Sequence, residues 1–246
     1  MSTWSDYDGR LPRLILNAAE TANPWQFLLD LSTLLYALTE TGSLELDRLY
    51  KGGWKSFVWA CRDAVDLELP TPPLSRLAGD CTDLVCALLK NLSRRAEVCR
   101  QNACAVFDAL LREAAVLEYV DHFFTPPTLA GFMAELLNPQ PGECVLDPAC
   151  GSGRLLTAAF SRREDLALTG VEIDPSLAAL SKFNLYFHGA ENVAVGCQDF
   201  LEQNPSWAQM CDAVISNPPY YNDITLTLRF IDRIFRALKP GGRCAI

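Results

Sequence analysis

The stretch DAVISNPPYYND, residues 212–223, places a polar corner directly after an apolar run. An exocyclic amine of a nucleobase is a poor nucleophile because its lone pair is delocalised into the ring. The side-chain oxygen of Asn217 and the carbonyl oxygen of Pro218 could accept its two hydrogens, which would draw the lone pair out of conjugation. Pro218 and Pro219 fix φ and keep these acceptors aimed, and Tyr220 can stack on the base. The alternative is a rigid turn at a strand end, which needs the prolines but neither the asparagine nor the tyrosine.

A glycine-rich turn, DPACGSG, runs from Asp147 to Gly153 between a predicted strand and a predicted helix. Glycines allow a tight turn and a close approach of the backbone to a ligand. Glu172 lies about 21 residues after Gly151, at the end of the next predicted strand, where a carboxylate can accept both hydroxyls of a ribose. The alternatives are helix-to-sheet packing for the glycines and a solvated loop position for the carboxylate. Together, the two features favour a nucleoside ligand.

The turn has no lysine for phosphates and does not match GxGxxG, so a P-loop is excluded and a dinucleotide is disfavoured. Asp147, Glu172 and Asp199 surround an otherwise uncharged turn, which suits a nucleoside that carries a positive charge. S-adenosylmethionine, with its sulfonium, fits that description. We expect Asp199, at the end of the third predicted strand, to accept a hydrogen bond from the adenine amino group of the cofactor. An N-cap for the following segment FLEQN is almost as good an interpretation of its spacing.

Strands and helices alternate from about residue 121 onward, and these elements must position the motifs. The predicted strands are ECVLD, LALTGVEID, NVAVGCQDF and MCDAVIS, and RCAI begins a fifth. Such alternation predicts right-handed crossovers and a parallel sheet with helices on both faces, in which ligands bind at the carboxyl ends of the strands. The predicted fold class for residues 121–246 is therefore α/β and Rossmann-like. Residues 1–120 show helical spacing without strand alternation, which predicts a separate helical domain.

The composition limits the classes of function. The 246 residues carry a formal net charge of −9, and neither half is basic, so an unaided nucleic-acid interface is disfavoured. The ten cysteines do not resemble a disulfide framework in a long chain without an apolar signal segment, and we expect cytoplasmic thiols. CTDLVC and CRQNAC are spaced more widely than a CxxC pair, so no metal site is predicted. No segment is long and apolar enough to span a membrane.

Six segments occur in the order used by N6-adenine DNA methyltransferases: FFTP, DPACGSG, GVEIDP, NLYFHG, CQDF and ISNPPY. Over about residues 120–246 the chain resembles this family, and most closely the modification subunit of type I restriction enzymes. The resemblance implies transfer of a methyl group from S-adenosylmethionine to the N6 amino group of adenine in DNA, within a restriction-modification system. It also implies DNA binding with help from specificity and restriction subunits, of which the specificity subunit would choose the target site.

The resemblance also assigns roles to individual residues. The target adenine, flipped out of the duplex, would be held by Asn217, Pro218 and Tyr220. The cofactor would be contacted by Thr125, Pro126, Asp147, Pro148, Ala149, Gly151, Gly153, Glu172, Ile173, Asp199, Phe200 and Asn217. His122 and His188 receive no catalytic role, and we expect His188 to cap or pack against the helix that precedes it.

The sequence also departs from the family pattern. The sheet of the family usually has seven strands, whereas this sequence stops at GGRCAI in the fifth. Three interpretations remain: a fragment of a longer protein, a short protein that pairs an apolar sheet edge with another chain or a second copy, and a relative without activity. Two other functions also stay open. One is a cofactor-binding or assembly module that docks a partner, and the other is methylation of a glutamine amide in a protein, because ISNPPY also occurs in such enzymes.

Overall fold

The computed structural model describes residues 24–67, 69, 72–74, 76–77, 79–93, 100–114, 124–202, 208–219 and 223–246. The chain divides into two compact units, Met1–His122 and Phe123–Ile246. The regular elements of the first unit, within its described residues, are the helices α1 (Pro24–Thr41), α2 (Asp47–Ala64), α3 (Gly79–Ser93) and α4 (Arg100–Ala114). Helix α2 is kinked at Gly53, where φ is 74° and ψ is 171°.

A buried carboxylate connects the elements of the first unit. Asp30 of α1 is fully buried, and its Oδ2 accepts hydrogen bonds from Trp54 Nε1 at 2.8 Å and from the backbone N–H of Leu74 at 2.9 Å. Its Oδ1 accepts from Gln26 Nε2 at 2.9 Å and from Arg62 Nη2 at 3.4 Å. Burial raises the pKa of Asp30, and these donors oppose that shift. The carboxylate thereby ties α1 to α2 and to the segment that follows α2.

The second unit alternates helices and strands along the chain. Its elements are α5 (Pro127–Leu137), β1 (Cys144–Asp147), α6 (Arg154–Arg162), β2 (Ala167–Glu172), α7 (Pro175–Phe187), β3 (Val193–Cys197), β4 (Cys211–Ile215), α8 (Ile224–Ala237) and β5 (Leu238–Ala245). The five strands are parallel, in the order β3-β2-β1-β4-β5. The order reverses between β1 and β4, which is the place where ligands bind in open α/β sheets. The predicted Rossmann-like α/β fold is confirmed.

Helix starts in this unit follow from short polar residues and prolines. Asp174 precedes α7, and its carboxylate accepts from the backbone N–H groups of Ser176 and Leu177, while Pro175 occupies the first helical position. Asp223 caps α8 in the same way, by accepting from the N–H of Thr225. Helix α7 therefore begins within a few residues of the end of β2, which carries part of the predicted site.

The sheet is covered on both faces. On one face, apolar residues of α5 and α6 such as Ala134 and Leu156 pack against Val145 and Ile215 of the central strands. On the other face, the core includes Phe230 and Ile234 of α8, packed with residues of β1, β2 and β4. Strands buried on both faces explain why β1 and β4 read as continuous apolar runs rather than as alternating patterns.

A salt bridge between Arg243 and Glu143 stabilises the amino-terminal end of the sheet. Arg243 of β5 forms a bidentate pair with Glu143, at 2.8 and 2.6 Å. The same guanidinium donates to the carbonyl oxygens of Leu137 and Asn138, where α5 ends. The arginine also lowers the pKa of Glu143. These contacts of Arg243 fix the end of α5, the helix that starts beside the predicted site.

None of the nine cysteines that the structure describes forms a disulfide, and five of them are buried. Cys81 and Cys86 of the CTDLVC segment pack inside the first unit at 0 % and 1 % exposure, whereas Cys99 lies outside the described residues. Within the described part of the chain, no helix combines the length and apolarity that crossing a membrane requires.

Candidate active site

The glycine turn leads from β1 into α6 and is pinned to the neighbouring strand. The backbone N–H of Cys150 donates to the carbonyl of Val171 on β2 at 2.9 Å, and the N–H of Gly153 donates back to Cys150 at 2.7 Å. Gly151 and Gly153 have φ values of 52° and 79°, in the left-handed region that favours glycine. The chain can therefore turn sharply at the carboxyl end of β1 and leave backbone groups facing the crevice.

Helix α7 supports this turn from behind. A Cβ atom at Gly153 would lie 2.6 Å from Ser181 Oγ and 3.2 Å from Ser181 Cα. The side-chain amide of Asn184, fully buried on the same helix, donates to the carbonyl of Ser152 at 2.8 Å. Gly153 is therefore required for close packing against α7 as well as for its backbone angle.

We expect Gly153→Ala to lower the free energy of unfolding by about 2 kcal/mol, because a left-handed alanine and a clash with α7 add together. Gly142→Ala is the matched control: its φ is 74° and its added Cβ would meet nothing within 4 Å. The control should lose only about 1 kcal/mol. Urea unfolding of both variants measures the difference, and equal losses would show that contact with Ser181 is unimportant.

Glu172 connects the glycine turn to the end of β2 through hydrogen bonds. Its side chain is 8 % exposed, which is inconsistent with a solvated loop carboxylate. Oε2 accepts the backbone N–H of Gly151 at 2.8 Å, and Oε1 accepts that of Asp174 at 2.9 Å. Each carboxylate oxygen has two lone pairs, so both can accept a second hydrogen bond from a ligand hydroxyl. The geometry thus presents two fixed acceptors beside the glycine turn.

Asp147 ends β1 and is fully buried. Its Oδ1 accepts the backbone N–H of Ala149 at 3.1 Å and the hydroxyl of Ser216 at 3.0 Å. Its Oδ2 is buried and has no hydrogen-bond partner within the described residues. The pKa of Asp147 is raised to about 7, chiefly by burial and also by the charge of Glu172, although the two donors oppose the rise. An ionised carboxylate with a bare oxygen favours a ligand that brings a positive charge.

The carboxyl ends of β2 and β3 carry the other predicted cofactor contacts. The Ile173 side chain is 68 % exposed, and its carbonyl accepts from Cys197 Sγ at 3.6 Å. Asp199 Oδ1 accepts the backbone N–H of Leu201 at 2.8 Å, in a turn at residues 200–201. An exposed apolar side chain next to Glu172 can pack on a flat base, and the contact of Ile173 with cofactor stays a prediction.

The predicted site also includes Phe200, Pro148 and Tyr220. Phe200 is 3 % exposed, and its ring lies edge to face with Phe230, the centroids 5.2 Å apart. It therefore packs in the core, and a direct contact with cofactor stays a prediction. Pro148 is buried within the turn, and its contact with cofactor stays a prediction. Tyr220 lies outside the described residues.

The NPPY corner leaves β4 at the same edge of the sheet. Asn217 Nδ2 donates to Thr125 Oγ1 at 3.4 Å, which brings the FFTP segment next to the corner. Pro126 follows as the N-cap of α5, and Pro218 is half-buried. Ser216 links Asn217 to Asp147. It directly precedes Asn217 in the chain, and its hydroxyl donates a hydrogen bond to Asp147. The structure thus brings the acceptor corner and the glycine turn together.

The residues present fit a cationic nucleoside. The unpaired Oδ2 of Asp147 offers an anionic acceptor, Glu172 offers two further acceptors, and the turn itself carries no basic side chain before Arg154. Asn217 and Pro218 supply neutral acceptors on the β4 side. These acceptors suit a positively charged nucleoside and an amine, whereas the carboxylates of Asp147 and Glu172 would repel a phosphate ligand.

Comparison with known proteins decides the family. A family model described as N-6 DNA Methylase matches residues 103–246, which is more than half of the chain. The chain belongs to the N-6 DNA methylase family.

Named members of the family share modest identity with this protein. The methylase subunit of the type I restriction enzyme EcoEI from Escherichia coli is 28 % identical over 130 residues, covering 47 % of this chain and 26 % of that protein. The methylase subunit of StySPI from Salmonella potsdam is 30 % identical over 159 residues, covering 50 % and 30 %. The matches thus span about a quarter to a third of the length of these relatives.

Solved structures support the methylase fold. A chain of a type I R-M system superposes with a TM-score of 0.67 at 20 % identity, covering 98 % of this chain and 63 % of the other. A putative class I S-adenosylmethionine-dependent methyltransferase from Listeria monocytogenes gives a TM-score of 0.58 at 19 % identity, covering 96 % and 72 %. At these identities the likeness establishes the fold alone.

Proposed function

We propose that this N-6 DNA methylase family member transfers a methyl group from S-adenosylmethionine to the N6 amino group of adenine in DNA. The observation that carries the proposal is the hydrogen bond of 3.0 Å between Ser216 and Asp147. It joins the glycine turn after β1 to the acceptor corner after β4 across the strand-order reversal, which supports a site where the two substrates of a transfer reaction would meet.

The cofactor would supply an activated methyl group and leave without its positive charge. Asp147 would hold the cationic end through its unpaired Oδ2, and Glu172 would accept the ribose hydroxyls. Ile173 would pack against the adenine ring of the cofactor, with Asp199 at its edge. These roles are consistent with the burial and the exposure of the four side chains.

The target base would be handled by the NPPY corner. The side-chain oxygen of Asn217 and the carbonyl of Pro218 would accept the two N6 hydrogens and localise the nitrogen lone pair. The new bond joins N6 to the methyl carbon while the bond from that carbon to sulfur breaks, and one N6 proton then leaves to solvent. We assign Tyr220 to stacking on the flipped base, since an aromatic ring directly follows the acceptors in the sequence.

We also propose that this chain works with other subunits on DNA. Its net charge of −9 disfavours binding a polyanion alone, because phosphate contacts dominate the affinity of proteins for DNA. Several relatives are named as subunits of type I restriction enzymes. A specificity subunit and a restriction subunit are therefore the partners we propose, with the specificity subunit supplying recognition of the DNA sequence.

The test is incorporation of labelled methyl groups from S-adenosylmethionine into unmethylated DNA, with and without the proposed partner subunits. Enzymatic digestion to nucleosides should recover the label as N6-methyl-2′-deoxyadenosine, and DNA already methylated on adenine should take up none. Cofactor binding without any incorporation in the presence of the partners would favour the assembly module instead. Label recovered on glutamine of an added protein would indicate the protein-methylating alternative.

A further inference from the structure

Ser216 is a fully buried polar residue between two parts of the proposed site. Its hydroxyl donates to Asp147 Oδ1 at 3.0 Å. Its backbone N–H donates to the carbonyl of Ala245 on β5 at 3.0 Å. The residue is thus fixed from both sides, through its backbone to β5 and through its side chain to the end of β1, and Asn217 follows it directly.

The Ser216 hydroxyl donates to a buried carboxylate whose pKa and orientation depend on its hydrogen-bond donors. Asp147 is fully buried, and the donors to it are the N–H of Ala149 and the hydroxyl of Ser216. Ala149 lies in the turn after β1, whereas Ser216 follows β4. The serine hydroxyl is therefore the donor that sets the rotation of the carboxyl group relative to β4. Rotation matters because the second oxygen, Oδ2, is the one left for a ligand.

We propose that Ser216 is a positioning residue that keeps the carboxylate of Asp147 ionised and turned toward the cofactor. This inference rests on the proposed function, because it gives the carboxylate a cationic ligand. Ser216 makes no contact with the reacting atoms itself. The same hydrogen bond holds the residue before Asn217, so a single contact orders the cofactor side and the base side of the crevice.

The titratable groups around Asp147 determine the direction of the pH effect. Glu172 on β2 and the thiol of Cys150 in the turn are the neighbours that interact with its charge. The pKa of Asp147 is raised to about 7 by burial, and the Ser216 hydroxyl lowers it. Removing the hydroxyl therefore raises this pKa further. Near neutral pH more of the variant is protonated, and a protonated carboxyl group binds a cation poorly.

The experiment is calorimetric titration of S-adenosylmethionine into the wild type and into Ser216→Ala between pH 6 and pH 9. We expect the variant to bind about 10-fold more weakly at pH 7, and we expect the ratio of the two dissociation constants to shrink toward pH 9. The ratio cancels the titration of the ligand itself. Ser216→Thr keeps a hydroxyl and should restore the wild-type pH profile, even if its extra methyl group lowers the affinity at every pH.

Ser161→Ala is the matched control, since Ser161 is exposed and donates only to its own helix, at 2.8 Å to the carbonyl of Thr157. It should leave binding unchanged at every pH. A loss in Ser216→Ala that does not vary with pH, or a Ser216→Thr profile that follows alanine, would overturn the inference while the proposed function stands. Absence of any binding to the wild type at all pH values would overturn the proposed function, and this inference with it.

Discussion

Replacing Asn217 by alanine should lower the rate of methyl transfer about 1000-fold, which is the upper part of the range for loss of one preorganised polar group in an active site. The amide oxygen is one of the two acceptors that would localise the lone pair of adenine N6. Its loss leaves an amine whose electrons remain delocalised. Cofactor affinity should stay within about 3-fold of the wild type, because Asp147 and Glu172 carry the charged contacts to the cofactor. Single-turnover transfer at saturating cofactor and calorimetry measure the two quantities separately.

Two further variants make this test specific to the amide oxygen. Asn217→Asp keeps an acceptor oxygen but loses the Nδ2 donor to Thr125, seen at 3.4 Å. It should retain more activity than alanine. Asn192→Ala removes an exposed amide from the same unit and should leave the rate unchanged. Full activity in Asn217→Ala would remove this residue from the mechanism, and a parallel loss of cofactor binding would make it a binding residue instead.

The fold of the second unit was predictable because its signals are local. A strand that ends in DPACGSG must turn within a few residues, and Asp174 followed by Pro175 is a complete helix start on its own. Alternation with right-handed crossovers also predicts a parallel sheet, although it leaves the strand order open. Positions of Asp147, Glu172 and Asn217 at one edge of the sheet therefore follow from the sequence without any knowledge of side-chain contacts.

The contacts inside the site were not predictable in the same way. Ser216 reaches Asp147 across 69 residues of sequence, and that pairing depends on the register of β1 against β4, which no short segment encodes. A polar residue at the end of an apolar strand, directly before the asparagine of the motif, was nevertheless a signal for Ser216. Phe200 is the opposite case. Its place beside Asp199 predicted a ligand contact, whereas its ring packs against Phe230 in the core.

Glu172→Ala should weaken S-adenosylmethionine binding about 100-fold, because two hydrogen bonds from ribose hydroxyls to a charged group contribute roughly 3 kcal/mol. The carboxylate also accepts the N–H groups of Gly151 and Asp174 at 2.8 and 2.9 Å. Part of any loss could therefore come from a disordered turn. Calorimetry on the wild type and the variant gives the total effect, and Glu191→Ala, which alters an exposed glutamate of the same unit, should change nothing.

A ligand without ribose hydroxyls separates the two contributions of Glu172. S-adenosylhomocysteine and its 2′,3′-dideoxy analogue differ only in the groups that the carboxylate is proposed to accept. If Glu172 binds the ribose, the variant should lose far more affinity for the parent compound than for the analogue, and the difference is the coupling energy between carboxylate and hydroxyls. Equal losses for both ligands would restrict Glu172 to holding the turn. Equal affinity of wild type and variant for S-adenosylmethionine would remove the residue from the cofactor site, and the hydrogen bonds between the glycine turn and Glu172 would then serve the fold alone.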